Sequence, residues 1–495
     1  MRAINKLAGQ TAIYGLPSII GRLLNYLLVP LHTAVFLPER FGVITEMYAY
    51  VAFLVVFLTY GMETAYFRFQ SKGDYKHSNV YSTVLFSLFG STLIFWVLSG
   101  SFSQSIANWL EYPDNQEYVI WFAFIVGLDA ISSIPLARLR IEGKAMRFAA
   151  VNLSSILVNI GLNVFWVGYC MPAYESGADN LLLDWFYSPE IGVGYVFLAN
   201  LFASLIKFIL LSPQLAKIKM VFDTRMWRDM LIYGSPLLLS SLAIIVNENA
   251  DKILLKRLLI DDLGVEGAIA TVGIYGACYK LSIIISLFIQ AFRYAAEPFF
   301  FAQSKDEEAP KTYAKIMNYF VITCALIFLV VMFYLDILKH FLANEEYWVG
   351  LHIVPILLLA NIFLGIFYNL SVWYKLNGMT RYGALIAGFG AVITIILNLW
   401  WIPIFGYVGS AWATLICYFS MSVLSYMIGR KYYKVPYQLK KVIFYLLLAL
   451  VLHLLFEYLI PDFSTAVDYG LKALIILLFA GLAWALEKPK KAIIS

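Results

Sequence analysis

Charged side chains are scarce in this chain. Asp, Glu, Lys and Arg make up 14% of its 495 residues, where a soluble domain carries about 25%. Cysteine is rarer still, and Cys170, Cys278, Cys324 and Cys417 all fall in or at the edge of apolar runs. None has metal-ligand or CxxC spacing, so no disulfide framework or zinc site is expected, and the four read as small packing residues. No GxxxxGK(S/T) segment occurs, so no phosphate-cradling loop for ATP is expected. No loop is long enough for a soluble domain, and residues 172–190 form a connection without Lys, Arg or His. No metal, cofactor or nucleic-acid partner is expected from such a chain.

What is present is apolar. Hydrophobic residues make up 61% of the chain, so lipid is its main solvent. The basic start Met1-Arg2-Ala3-Ile4-Asn5-Lys6 leads into an apolar run that continues past Phe36. That run is too long for a signal-peptide core and reads as a retained first span. With about 20 residues per crossing, the pattern predicts about fourteen transmembrane helices and an all-α polytopic fold. The expected spans are 10–37, 41–69, 80–104, 117–140, 147–171, 191–213, 229–258, 269–301, 313–341, 350–375, 382–403, 406–429, 441–460 and 466–486.

The loops alternate in charge. One set carries Lys72 and Lys76, then Arg138 to Arg147, Lys217 to Arg228, Lys305 and Lys311, Arg381, Arg430 to Lys440, and Lys488 to Lys491. The other carries Glu111, Asp114 and Glu117, then Glu175, Asp179 and Asp184, Asp261, Asp262 and Glu266, Glu345 and Glu346, and Asp462 and Asp468. Basic loops stay cytoplasmic, which places both termini on the cytoplasmic side of the membrane. Arg40, Lys256 and Arg257 are exceptions on the outer side.

Local patterns recur in order. Tyr14-Gly15-Leu16-Pro17 opens the first span and Tyr233-Gly234-Ser235-Pro236 the seventh; Leu162-Asn163 and Leu397-Asn398 sit in the fifth and eleventh. The offsets divide the chain into six-helix halves at 1–220 and 221–430, with a trailing pair at 431–495. An even-numbered repeat keeps its orientation, and substrate sites in such transporters lie near midplane between the halves.

A charge at a bilayer centre costs about 2.5–3.5 kcal/mol on insertion scales, so each one needs a partner or a wet cavity. Ser18, Arg22, Asn25 and His32 share one face of the first span. Arg22 lies roughly 15 Å in from Ala12 at 1.5 Å per residue, too deep to snorkel easily. It either lines a hydrophilic cavity or pairs with a carboxylate. Asn152, Ser155, Asn159 and Asn163 form a stripe on the fifth span, suited to cavity lining or to interhelical hydrogen bonds. On the eighth span Tyr279, Ser282, Ser286, Arg293 and Glu297 share a face, and Lys280 adjoins it at greater depth. Arg293 and Glu297, four apart, form either a gate or a structural ion pair. Glu63 and Arg68 near the inner end of the second span are a further gate or ion-pair candidate. Glu248 and Asp251 in the seventh are candidates for proton or sodium coupling, unless they are solvated charges at a helix end.

The stretch from Leu397 through Trp400, Trp401, Pro403, Gly406 and Gly409 to Thr414 resembles the eleventh-to-twelfth-helix signature of polysaccharide flippases. These belong to the multidrug/oligosaccharidyl-lipid/polysaccharide (MOP) exporter superfamily. Gly15 to Leu31, and Ala291 to Phe299, are similar to Wzx-type exporters of that group. The resemblance implies two six-helix bundles in a MATE-like V, plus two C-terminal helices. It implies alternating-access export of an undecaprenyl-pyrophosphate-linked oligosaccharide, and cations in the first bundle and the eighth helix, where Arg22, Lys280 and Arg293 lie. A polysaccharide polymerase and chain-length machinery are the expected partners. A drug exporter of the same superfamily would want carboxylates rather than Arg22 in the first bundle. A glycan polymerase or ligase would want charged residues on a larger outer loop than 172–190. A flippase for the peptidoglycan precursor differs only in head group.

Overall fold

The computed structural model describes residues 20–72, 77–178, 181–304, 306–459 and 465–488. Ser18 and the Tyr14-to-Pro17 motif lie outside them, as do Lys76, Asp179, Lys305, Asp462, Lys490 and Lys491. The described residues are helical, without a strand. Among the described residues, ten helices are long and apolar enough to cross a membrane. Two of these ten each hold two helical runs. The segment Thr224–Gln303 breaks at Gly264 (φ 70°), and Arg381–Tyr432 breaks at Gly406 (φ 57°). Only glycine takes such positive φ angles without steric penalty, so these positions mark turns between consecutive crossings.

With those turns counted, and with two shorter segments added, fourteen helical runs appear among the described residues. They are α1 (20–35), α2 (Pro38–Ser71), α3 (Ser78–Ser101), α4 (Gln116–Ile141), α5 (Ala145–Glu175), α6 (Gly194–Leu210) and α7 (224–263). The remainder are α8 (265–303), α9 (Ala309–Phe333), α10 (Glu345–Leu376), α11 (381–405), α12 (407–432), α13 (Leu439–Tyr458) and α14 (Val467–Glu487). This is the all-α, roughly fourteen-span architecture expected from the apolar periodicity, and the protein is a multi-pass membrane protein. Two spans carry internal irregularities. In α2, Tyr60 and Gly61 take positive φ angles of 32° and 74°, and Val164–Cys170 of α5 is wound as a π-helix.

Two compact units divide the chain. The first contains residues 1–278, 342–350 and 381–413; the second contains 279–341, 351–380 and 414–495. In the first, α4 is central and largely buried. Met62, Tyr66, Val80, Leu85, Leu88, Ile131, Ile134, Met226 and Met230 form one continuous core cluster. In the second, α14 is peripheral, with 11% of its window buried; its apolar side chains are left for lipid.

Close approach of helices sets where bulk is tolerated. A Cβ on Gly127 of α4 would overlap the Trp96 indole and Thr92 of α3. The Trp96 indole is fixed there because its Nε1 donates to the Ala123 carbonyl at 2.9 Å. Gly127→Leu should therefore lower stability by about 1–3 kcal/mol through overpacking. Gly100→Ala, with nothing within 4 Å, should leave it unchanged or slightly raised. Thermal melting of the detergent-purified protein tests both; equal melting temperatures would contradict the packing account.

Candidate polar site in the membrane-spanning helices

The polar stripes of α1 and α5 meet. Asn159 Nδ2 donates to Asn25 Oδ1 at 3.2 Å. One turn on, Asn163 Nδ2 donates to the Asn159 carbonyl at 2.8 Å and to its Oδ1 at 3.2 Å. Asn163 Oδ1 lies 2.8 Å from His32 Nε2, which acts as donor when the ring carries its proton there. His32 and Asn163 are buried at the closed end of this track, while Asn25 is exposed. Arg22, three residues before Asn25, is exposed and makes no ion pair or hydrogen bond with any described residue. Asn152 and Ser155 turn instead to packing, donating to the carbonyls of Phe148 (2.9 Å) and Ala203 (2.8 Å). The second copy of the Leu-Asn pattern behaves like the first. Asn398 Nδ2 donates to the Thr394 carbonyl at 2.7 Å, and its Oδ1 accepts from Ser410 at 2.8 Å.

In the second unit, α8 faces α10. Asn361 joins two hydroxyls of the predicted stripe, accepting from Ser286 at 2.9 Å and donating to Ser282 at 3.1 Å. Lys280 is half-buried on the same helix. Arg293 lies 3.7 Å from Glu297, and its guanidinium sits 4.0 Å above the Tyr368 ring. The shorter bond to Glu297 comes from Lys375 of α10, at 2.6 Å. Glu297 thus has a lysine partner that spacing along α8 does not reveal.

Glu63 and Arg68 do not pair with each other. Glu63 bonds Arg140 of α4. The Arg68 guanidinium stacks on Tyr233 at 4.1 Å, at a cavity of about 430 Å³ also lined by Phe69, Asp229 and Pro236. Asp251 is buried rather than a solvated helix end. It accepts from Tyr275 at 2.7 Å and from Lys252 Nζ at 3.1 Å. Lys252 Nζ also reaches the Glu248 carbonyl at 2.6 Å, and Glu248 itself is half-buried. One turn before Asp251, Asn247 donates to the Ala387 carbonyl of α11 at 3.1 Å and accepts from Thr394 at 3.2 Å.

Two further ion pairs of the first unit were not visible in the sequence either. Asp129 of α4 accepts from Lys207 (2.8 Å) and Ser204 (3.1 Å) of α6. Glu46 of α2 and Lys256 of α7 are both fully buried at 2.9 Å. Tyr112, from the connection before α4, donates to the same Glu46 oxygen at 2.5 Å. Burial first, then the Glu46 charge and hydrogen bond, push the Tyr112 phenol well above its usual range, so it stays protonated as a donor. The available signals were Asp129 alone in an apolar span and Lys256 on the wrong side of the charge alternation. Among the described residues no group of three His, Cys, Asp or Glu could hold a metal ion, and the four cysteines are buried thiols.

The chain is similar to proteins of known fold across nearly its whole length. The structure titled lipid II flippase MurJ, inward closed conformation, matches with a TM-score of 0.73 at 14% identity, covering 95% of this chain and 98% of that one. An inward-facing multidrug resistance MATE family transporter of the MOP superfamily matches at 0.59 and 14% identity, covering 87% and 94%. An outward-facing structure of a MATE family transporter matches at 0.57 and 16%, covering 86% and 95%. No curated protein matches the chain in sequence. The family model described as polysaccharide biosynthesis protein matches residues 7–304, more than half of the chain. This membrane protein, whose fold is like that of the MurJ and MATE structures, therefore belongs to the polysaccharide biosynthesis protein family.

Proposed function

We propose that the protein is a flippase that carries an undecaprenyl-pyrophosphate-linked oligosaccharide across the bacterial cytoplasmic membrane by alternating access. The observation that carries this reading is the exposed Arg22, without an ion-pair partner among the described residues, beside the amide track of Asn25, Asn159 and Asn163. A pyrophosphate head requires a cation whose charge is not already neutralised, and sugars require amides and hydroxyls nearby. Family membership in polysaccharide biosynthesis supports a glycan-bearing cargo. Likeness to a structure titled as a lipid II flippase supports a lipid-linked one. That same likeness favours one second reading, in which the cargo is the lipid-linked peptidoglycan precursor.

An inside-negative potential favours outward movement of an anion by about 2.3 kcal/mol per charge per 100 mV, so export needs no ATP. Proton or sodium coupling would act through Glu248 and Asp251. The buried carboxylate of Asp251, held by Tyr275 and Lys252, has the surroundings in which gain or loss of a cation would be felt by α7 and α8. The reading includes an inner-membrane location with both termini cytoplasmic, supported by the charge alternation of the loops. It also includes a polysaccharide polymerase and chain-length machinery as the proteins that take over the exported unit.

Deletion in the native host should make a lipid-linked sugar intermediate accumulate on the inner face. Absence of that accumulation contradicts the flippase reading, and its chemical identity separates the two cargoes. Arg22→Ala should abolish export while the protein remains in the membrane at normal level; near-normal export would remove Arg22 from the mechanism. Replacing Glu248 and Asp251 by their amides should blunt the response of export to ionophores. An unchanged response would place coupling elsewhere.

A further inference from the structure

The fully buried Glu46–Lys256 pair is more than a helix contact. Lys256 Nζ bonds Glu46 Oε2 at 2.9 Å and the Leu110 carbonyl at 2.6 Å, and it lies 3.9 Å from the centre of the Tyr112 ring. Its neighbour Arg257 bonds the Trp109 carbonyl and stacks on that indole at 4.3 Å. The end of α7 therefore grips the connection between α3 and α4 at successive residues. Close by, backbones touch. A Cβ on Gly42 would fall on the Ile269 carbonyl, one on Gly273 on the Pro38 carbonyl, and one on Gly276 on Thr45. Tyr347 donates to the Phe36 carbonyl at 2.6 Å, and Thr33 Oγ1 accepts from Ala343 N at 3.1 Å. All these contacts lie within the first compact unit, at the end of the spans that carries acidic loops.

Three physical points bear on what this cluster does. A desolvated ion pair stabilises no better than a packed apolar pair, yet losing one partner leaves an uncompensated buried charge. Such a pair makes its arrangement all-or-none. Glu46 Oε1 is buried without a hydrogen-bond partner among the described residues, so the site is incompletely satisfied in this arrangement. Finally, both ions regain full hydration if the helices part. The desolvation cost returned on opening offsets the lost attraction, which gives two comparably stable states. An apolar pair has no hydrated alternative of this kind.

We propose that Glu46, Lys256 and Tyr112 form the lock of the outer gate, closed in this structure and dismantled as a unit when the acidic-loop end of α2 parts from the joined ends of α7 and α8. The inference rests on the alternating-access reading above, but its test uses no substrate. The full-length protein, with its four cysteines replaced by alanine and Thr45→Cys added on the α2 face that meets Gly276, is placed in membrane vesicles. A membrane-impermeant maleimide is added from the acidic-loop side and the labelling rate is measured.

Lys256→Met should raise that rate by at least about tenfold, because the closed state then holds an unpaired carboxylate. Glu46→Gln should raise it less. The paired substitution Glu46→Leu with Lys256→Met should bring labelling to or below the parent rate, since the apolar pair favours closure. Parent-rate labelling of Lys256→Met in a protein that melts cooperatively overturns the lock. Labelling of the double variant as fast as the single one overturns it as well, since that marks local unfolding rather than gating. Should Lys256→Met fail to fold, the Glu46→Gln and double variants decide by the same criteria. Failure of the flippase reading shows separately, as no accumulation of lipid-linked sugar in the deletion strain.

Discussion

A charged side chain inside a bilayer must find its counter-ion within the protein, because lipid supplies none. That constraint organises this molecule. Asp129 finds Lys207, Glu46 finds Lys256, Asp251 finds Lys252 and Tyr275, Glu63 finds Arg140, and Glu297 finds Lys375. Most of these bonds join different spans, so each fixes the rotation of two helices about their axes. Apolar packing against lipid-like surfaces is nearly indifferent to such rotation. The polar pairs specify which faces look inward, and the remaining apolar faces are left to the membrane.

Against that background, two arginines without a carboxylate partner among the described residues stand out. Arg22 is exposed beside a run of amides, and Arg68 rests on an aromatic ring at a cavity. A cation whose charge remains available is expensive to keep in a membrane protein and becomes favourable when an anion visits. The amides of Asn25 and Asn159 are similar in kind. Their mutual bond at 3.2 Å is long, and Asn25 is exposed, so exchanging it for a bond to a hydroxyl costs little. His32 and Asn163, bonded at 2.8 Å and buried, instead hold α1 against α5. One polar track thus contains a rigid end and an adaptable end.

Much of the fold was legible because apolar runs report directly on crossings. The turn between the seventh and eighth expected spans falls at Gly264, and that between the eleventh and twelfth at Gly406. The stripes of α1 and α5 were legible for the same reason, since helical spacing displays a face. Their meeting was not, and neither were the ion pairs. Glu63 and Arg140 are 77 residues apart, Glu297 and Lys375 are 78 apart, and Glu46 and Lys256 are 210 apart. Periodicity along one helix names the face a residue occupies; it carries no information about which distant helix that face meets. For this reason the i,i+4 neighbour Arg293 was the visible partner of Glu297, while Lys375 was not. Lys256 was visible only as an exception to the loop-charge pattern, and the structure gives it a buried counter-ion in Glu46.

In the proposed function, these spans move an anionic, sugar-bearing lipid from one leaflet to the other. The most direct measurement uses purified full-length protein in liposomes that carry a fluorescent polyprenyl-pyrophosphate-linked sugar in both leaflets. A membrane-impermeant reductant is then added outside. The account predicts that fluorescence from the inner leaflet is also lost, at a rate that rises with an imposed potential favouring anion movement toward the reductant. Protection of the inner-leaflet probe, equal to that in protein-free liposomes, would contradict it.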